Sequence, residues 1–183
     1  MDVNETENVI ETTSIPKKRI EEKWYAIYTK PRAEKLVNQR LLEEGVETFL
    51  PMQKTYRKWS DRRKLVEKPL LPSYLFIRTK KTNFHHVYRV QGIVKFVSFE
   101  GKPVPIPEKQ IDNLRLLINS DAKIEVSLEN FTKGDNVEVI SGSLVGLRGE
   151  LIKIGKKNRV VIRIDRLDQN LLVKIPVAFL RKI

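Results

Sequence analysis

The sequence contains no cysteine and only two histidines among its 183 residues. The absence of cysteine excludes disulfide bonds and thiol chemistry, and it agrees with a reducing compartment. No apolar run approaches the roughly 20 residues that a membrane-spanning helix requires. The N-terminus, MDVNETENVI, lacks the basic and apolar regions of a secretory signal. We therefore expect a cytoplasmic protein that does not associate with membranes.

Motifs that indicate catalysis are also absent. The sequence has no Walker loop and no G-x-S-x-G motif, and its acidic residues are scattered through a basic background. His85 and His86 are adjacent, but neither cysteine nor a nearby acidic cluster completes a set of metal ligands. We predict that the protein is not an enzyme and that it holds no cofactor or metal.

Basic residues are in excess, with 35 lysines and arginines against 23 acidic residues. Residues 24–99 carry sixteen basic and six acidic side chains, and residues 131–183 carry eleven and five. Residues 1–23 and 100–130 are slightly acidic. Two basic blocks favour a polyanionic partner, because lysine and arginine neutralise phosphates. The alternative is a solvated charged surface that only keeps the protein soluble.

The pattern of apolar residues divides the chain into four parts. Residues 1–23 are polar without periodicity, which predicts a flexible tail. Residues 24–118 alternate between strand and helix patterns. Residues 119–130 are polar and acidic, which predicts a linker, and residues 131–183 show a series of short strand patterns.

The first domain follows the order β-α-β-β-α-β. A strand from Trp24 to Thr29 precedes a helix that begins near Pro31 and ends at Gly45. The apolar stripe of this helix is predicted to consist of Ala33, Leu36, Val37 and Leu41. The basic segment 54–64 predicts a hairpin arm that turns near Ser60. The other predicted elements are strands at 48–50, 70–77 and 93–99, a helix with Phe84, Val87 and Val90, and a helix with Ile111, Leu114 and Leu117. This order predicts an α+β, ferredoxin-like split βαβ domain that the hairpin elaborates.

The second domain is predicted to be all β. Short strands are indicated at 136–140, 147–154, 158–164, 171–176 and 179–182. Five strands in about fifty residues predict a small SH3-like barrel. Gly142 and Gly146 permit the positive φ of a tight loop, and Gly149 allows two strands to approach closely.

The segment GDNVEVISGSLVGLRGEL resembles the KOW motif of ribosomal proteins and of NusG-type elongation factors. The motif alone leaves both classes open. The strings WYAIYTK, EKPLLPSYLF and VKFVSF extend the resemblance to the NusG family over nearly all of residues 24–183, and they are most similar to its RfaH and UpxY antiterminators. The resemblance implies an NGN-like N-terminal domain followed by a KOW barrel.

The resemblance also implies that the N-terminal domain binds RNA polymerase. In the family an apolar depression receives the clamp helices of the polymerase, and the matching positions here are Tyr28, Leu71, Tyr74 and Phe76. The positions that match a contact across the polymerase cleft, which would hold the clamp closed and suppress pausing, are Asn83, Phe84, His85 and His86. For the four residues of the depression the alternative is interior packing. Side chains alternate between the two faces of a strand, so Leu71 and Tyr74 would point to opposite faces unless Pro72 bends the chain.

Contacts with DNA are implied at two places. Near the first strand–helix junction, the positions that match or flank the surface facing non-template DNA are Lys30, Arg32, Arg89 and Gln91. In the hairpin arm, the candidates for contact with upstream DNA are Arg57, Lys58, Arg62 and Arg63. Solvated surface charge is the alternative in both places.

Leu144 occupies the KOW-loop position at which NusG-type factors often carry a phenylalanine that contacts Rho or a ribosomal protein. Its apolar side chain leaves Rho, a ribosomal protein and RNA open as partners. The predicted function is that of a monomeric transcription elongation and antitermination factor. The alternatives are an RNA-binding ribosomal or ribosome-assembly protein and, with less support, a DNA-processing enzyme.

Overall fold

The computed structural model describes residues 21–59, 62–120, 122–127, 133–154, 157–164, 167 and 169–183. For residues 56–59, 62–63, 154 and 157–158 the description is limited to the backbone. The predicted tail therefore lies, up to residue 20, outside the described residues.

The N-terminal half is built on an antiparallel sheet. The strands of this half are β1 (Lys23–Thr29), β2 (Glu47–Phe49), β3 (Met52–Trp59), β4 (Arg62–Pro69), β5 (Tyr74–Thr79), β6 (Ile93–Phe96), β7 (Ser98–Phe99), β8 (Lys102–Pro103) and β9 (Pro105–Ile106). Two pairs, β3 with β4 and β7 with β8, form separate two-stranded sheets. The helices of this half are α1 (Glu34–Glu43), α2 (Phe84–Arg89) and α3 (Glu108–Ile118). The central strands have the order β2-β5-β1-β6, which confirms the ferredoxin-like arrangement, and β9 extends the sheet beside the start of β1.

Helices cover both faces of this sheet. Because side chains alternate along β1, its successive residues enter two different cores. Tyr25 and Ile27 pack into a core with Val37 and Leu41 of α1 and Val87 of α2. Trp24 and Ala26 belong to a second core that includes the α3 side chains Ile111, Leu114 and Leu117. The Trp24 indole also donates a hydrogen bond of 3.1 Å from Nε1 to Glu108 at the start of α3.

Three details of the N-terminal half bear on the predictions: one confirms a predicted element and two differ from what was predicted. Strands β3 and β4 pair from Met52–Pro69 out to Trp59–Arg62, which confirms the hairpin arm, while residues 60 and 61 of the turn lie outside the described part. The strand predicted over 70–77 begins only at Tyr74, since the preceding residues form a turn. Leu36, predicted in the apolar stripe of the first helix, is 49 % exposed.

The C-terminal half is a six-stranded sheet. Its strands are β10 (Ile124–Ser127), β11 (Asp135–Val139), β12 (Arg148–Ile154), β13 (Lys157–Ile164), β14 (Gln169–Val173) and β15 (Leu180–Lys182). Their order is β10-β14-β13-β12-β11-β15, and all pairs are antiparallel. The five predicted strands are present, and the fold is consistent with a KOW-type barrel.

The sixth strand, β10, comes from the span that was predicted as a linker. Its backbone pairs with β14, from Ile124–Val173 to Ser127–Asn170, and the side chain of Ile124 is buried. The polar composition of 119–130 was misleading because an edge strand leaves alternate side chains, such as Glu125, in solvent. The boundary between the two domains stays a prediction.

Helix α3 joins the two halves. The apolar cluster that contains its side chains continues into the barrel through Val137, Leu147 and Ile162. In addition, the Asn113 side-chain amide donates a hydrogen bond of 3.0 Å to the backbone oxygen of Arg148. The barrel therefore packs against the helix that also covers the second face of the N-terminal sheet.

The glycines of the barrel have the roles that the sequence predicts. Gly142 and Gly146 have φ values of 85° and 87°. A Cβ on Gly149 would lie 2.6 Å from the backbone oxygen of Val161 and 2.6 Å from Cδ1 of Ile162. Strands β12 and β13 can therefore pack this closely only where residue 149 has no side chain.

We expect Gly149→Ala to destabilise the barrel by about 1–3 kcal/mol, the usual cost of overpacking. Lys153→Ala, at an exposed position of the same strand β12, is the control, and we expect it to change the stability by less than about 0.5 kcal/mol. Thermal unfolding followed by the amide NMR signals of the barrel strands measures both changes. Equal stability of Gly149→Ala and wild type would contradict the steric argument.

Glu150 is the most extensively bonded carboxylate of the barrel among the described residues. The Arg163 guanidinium donates two hydrogen bonds to it, of 2.9 and 3.1 Å, and the Gly134 amide donates a third of 3.1 Å. The hydrogen bonds from Arg163 lower the pKa of Glu150 below its ordinary value of 4.5, and burial partly opposes this shift.

A carboxylate whose pKa is lower in the folded than in the unfolded protein stabilises the folded state at pH values above its unfolded-state pKa. This contribution to stability disappears as the pH falls through the folded-state pKa. The free energy of unfolding of wild type should therefore exceed that of Glu150→Gln most clearly near neutral pH. The difference should shrink as the pH falls below 4.5. Urea unfolding of both proteins across this range tests the expectation, and a difference that is independent of pH would contradict it.

Candidate partner-binding surface at one end of the sheet

The chain leaves β1 through a tight turn from Lys30 to Ala33. The Ala33 amide donates a hydrogen bond of 3.1 Å to the Lys30 carbonyl oxygen. Pro31 fixes φ at the second position, and Arg32 at the third has a φ of 64°. This is the pattern of a type II turn, in which the third residue is usually glycine. The left-handed conformation of Arg32 costs about 1–2 kcal/mol, so other contacts must hold the turn.

A second turn of the same kind leads into β5. The Tyr74 amide donates a hydrogen bond of 3.2 Å to the Leu71 carbonyl oxygen, with Pro72 at the second position. Ser73 at the third position again has a φ of 64°. The carbonyl oxygen of Ser73 accepts a hydrogen bond of 2.8 Å from the amide of Thr29, so the two turns lie side by side.

Glu34 connects the two turns. It is the first residue of α1, directly after the first turn, and it is only 5 % exposed. Its Oε1 accepts a hydrogen bond of 2.7 Å from the Ser73 amide in the second turn. The role of Glu34 leaves no signal in the sequence, because an acidic side chain in the first turn of a helix is common for reasons of helix electrostatics alone.

The predicted polymerase-binding residues Tyr28 and Tyr74 form a pair next to these turns. They are directly opposite in the β1–β5 ladder, and both are half-buried. Their ring centroids are 5.3 Å apart with an angle of 71° between the ring planes, an edge-to-face contact. We call Tyr28 and Tyr74 the tyrosine pair.

The other two residues of the predicted depression lie in the interior. Leu71 and Phe76 are fully buried in the cluster that includes α3, and the Phe76 ring lies 6.1 Å from that of Phe49. This placement corresponds to the alternative of interior packing. Pro72 bends the chain between Leu71 and Phe76, which lets both side chains enter the same core.

The residues predicted to contact the opposite side of the polymerase cleft lie at α2. Asn83, His85 and His86 are exposed. Phe84 is half-buried, with its ring centroid 4.9 Å from that of Tyr25 and 4.6 Å from that of Phe96. Their contact with a polymerase stays a prediction.

The residues predicted to face non-template DNA gather around the first turn. The loop after α2 is fixed there, because the Lys30 amide donates to the Gly92 oxygen at 2.9 Å and the Arg40 guanidinium donates to the Gln91 oxygen at 2.7 Å. All four of the predicted residues have exposed side chains, namely Lys30, Arg32, Arg89 and Gln91. Arg89 Nη2 lies 2.9 Å from Nε2 of His85.

The hairpin arm carries the second set of predicted DNA contacts at its outer end. In the β3–β4 ladder Arg57 pairs with Lys64, Lys58 with Arg63, and Trp59 with Arg62. The side chains of Arg57, Lys58, Arg62 and Arg63 lie outside the described part of the structure.

Leu144, the predicted partner contact of the barrel, is only 6 % exposed and belongs to the core. The Leu147 amide donates a hydrogen bond of 3.0 Å to the Leu144 carbonyl oxygen, which closes a turn in this loop. Its neighbour Val145 is 53 % exposed instead. The contact of Leu144 with Rho, a ribosomal protein or RNA stays a prediction.

The described residues contain no group of three or more histidine, cysteine, aspartate or glutamate side chains that is suited to hold a metal ion. Within the same residues, every helix is too short or too polar to span a membrane.

We expect Glu34→Ala to destabilise the protein by about 1–3 kcal/mol, because the buried Ser73 amide loses its acceptor. Glu34→Gln should cost less, since its side-chain oxygen can still accept the bond. The control is Glu44→Ala at the exposed end of α1, for which we expect a change below about 0.5 kcal/mol. Urea unfolding measures all three, and similar costs for the two alanine variants would contradict the assigned role of Glu34.

Comparison with known proteins agrees with this architecture. The family model described as "Transcription termination factor nusG" matches residues 22–115. The transcription termination/antitermination protein NusG of Rickettsia typhi is 23 % identical over 172 residues, which cover 87 % of this chain and 90 % of that protein. NusG of Streptococcus pyogenes serotype M1 is 23 % identical over 156 residues, which cover 78 % and 86 %.

A similar fold occurs in the solved structure titled "Domain interaction in Thermotoga maritima NusG". The TM-score is 0.51 at 22 % sequence identity, and the match covers 89 % of this chain and 98 % of the other. Since the family model matches just over half of the 183 residues, the chain belongs to the NusG family.

Proposed function

We propose that the chain is a transcription elongation and antitermination factor that binds RNA polymerase through its N-terminal domain. The observation that carries the proposal is the partly exposed tyrosine pair, held between two turns at one end of the sheet. Large aromatic rings with polar hydroxyl groups are common anchors in protein interfaces. Membership of the NusG family supports a role in termination or antitermination. The resemblance of the sequence strings to RfaH and UpxY supports the antiterminating direction.

In this proposal the factor suppresses pausing by binding one state of the polymerase more tightly than the other. The tyrosine pair would hold the clamp helices, and the exposed residues of α2 would reach the opposite side of the cleft. Lys30 and Arg32 in the first turn would neutralise phosphates of the non-template strand. The protein itself performs no chemical step.

The barrel is proposed to recruit a second partner, namely Rho, a ribosomal protein or RNA. A ribosomal or ribosome-assembly function for the whole chain is not favoured, because the family model matches the N-terminal domain and not only the barrel. The barrel would be the shared module, and the N-terminal domain would determine the assembly that the chain joins.

The test compares wild type with Tyr74→Asp in elongation reactions with purified polymerase. We expect wild type to bind the polymerase and to shorten pauses. Tyr74→Asp should bind at least tenfold more weakly, because a charge replaces an aromatic anchor. Leu36→Asp is the matched control, since it adds the same charge at an exposed apolar position on a helix that covers the other face of the sheet.

Circular dichroism and urea unfolding first establish that both variants are folded. If wild type neither binds the polymerase nor changes pausing or termination, the proposed function is wrong. If wild type is active and a folded Tyr74→Asp is equally active, the polymerase binds elsewhere on the chain.

A further inference from the structure

Lys95 lies next to the tyrosine pair on the neighbouring strand. In the sheet, Tyr28 is directly opposite Tyr74 on one side and directly opposite Lys95 on the other. Directly opposed residues of an antiparallel pair project to the same face, with Cβ atoms about 4.5–5.5 Å apart. Tyr74, Tyr28 and Lys95 therefore form a row across three strands, and Lys95 stands at the edge because β6 is the outermost strand in the order β2-β5-β1-β6.

A β-bulge presents a further side chain at this edge. Tyr28 is opposite Lys95 and Thr29 is opposite Ile93, so Val94 is an additional residue without a counterpart on β1. The bulge interrupts the alternation of burial along β6, and the successive residues Val94 and Lys95 are both exposed. Bulges at sheet edges commonly redirect side chains in this way. The edge thus offers an apolar side chain and a cation beside the two aromatic rings.

The exposed charged side chains around this surface are all basic. The segments 28–34, 71–76 and 89–97 contain four basic residues and a single acidic one, Glu34. The Glu34 carboxylate is buried against the Ser73 amide, so the exposed charged side chains of these segments are all basic. Among the ion pairs of the described residues, none involves Lys95.

We propose that the surface formed by Tyr28, Tyr74, Val94 and Lys95 binds a protein segment in which a carboxylate lies beside apolar side chains. Lys95 pairs with the carboxylate, while the tyrosine pair and Val94 contact the apolar groups. The inference rests on the proposed function, and it identifies the polymerase element that binds here as an acidic and apolar segment. Lys95 is then a specificity-determining residue of this interface.

A protein segment fits this surface better than a nucleic acid strand. Successive bases stack on ring faces that are free and similarly oriented. The planes of the tyrosine pair are instead inclined by 71°, and each ring is in contact with the other. Both rings are half-buried, and Val94 adds apolar area beside the cation, which favours a carboxylate-bearing protein partner over a phosphate backbone.

The test measures the dissociation constant of the full chain for purified RNA polymerase at low and at high salt. Lys95→Glu should weaken binding about tenfold or more at low salt, because it replaces an attraction with a repulsion, and Lys95→Met should weaken it roughly threefold. The loss should diminish at high salt, where exposed charges are screened. Lys109→Glu, which reverses an exposed charge at the other end of the domain, should bind like wild type.

Three results would overturn the inference. If wild type binds the polymerase and Lys95→Glu binds as well as Lys109→Glu, Lys95 is outside the interface although the proposed function stands. If Lys95→Glu weakens binding to a single-stranded DNA oligonucleotide, measured without polymerase, by the same factor as binding to polymerase, the partner of this surface is nucleic acid. If wild type shows no affinity for the polymerase, the proposed function fails and this inference fails with it.

Discussion

The hydrogen bond between the buried Glu34 carboxylate and the Ser73 amide is the contact on which the candidate surface depends. It joins the start of α1 to the turn that precedes β5, while the Thr29 amide bonds to the Ser73 carbonyl oxygen from the end of β1. Arg32 and Ser73 hold left-handed conformations that cost free energy. Such conformations persist only where surrounding contacts over-determine them, and they are frequent at functional sites.

On the face of the sheet that α3 covers, the same strands carry both core residues and the candidate binding surface. Along β1, Trp24 and Ala26 are covered by α3, whereas Tyr28, on the same face, is only half-buried. Arg115 of α3 lies over the rings of Trp24 and Phe49, at 5.4 and 5.5 Å from their centroids. The helix therefore covers one end of this face, and the tyrosine pair remains accessible at the other.

The order of strands and helices was predictable because each element has its own periodic pattern of apolar residues. The glycines of the barrel were also predictable, because Gly142, Gly146 and Gly149 meet local steric requirements. Strand β10 was missed, since an edge strand with exposed polar side chains has the composition of a linker. For Phe76 the sequence left a binding surface and interior packing open, and the structure places it in the core, as it does Leu144. Burial depends on what packs against a residue and not on its type.

The sequence by itself determined that an α+β part is followed by an all-β part, the basic character of the chain and the family to which it belongs. These properties follow from local patterns and from motifs of contiguous residues. Tertiary structure alone decided that Glu34 holds a turn 39 residues away and that Lys95 stands beside Tyr28. Strand register and helix packing bring these residues together, and neither leaves a local signal in the chain.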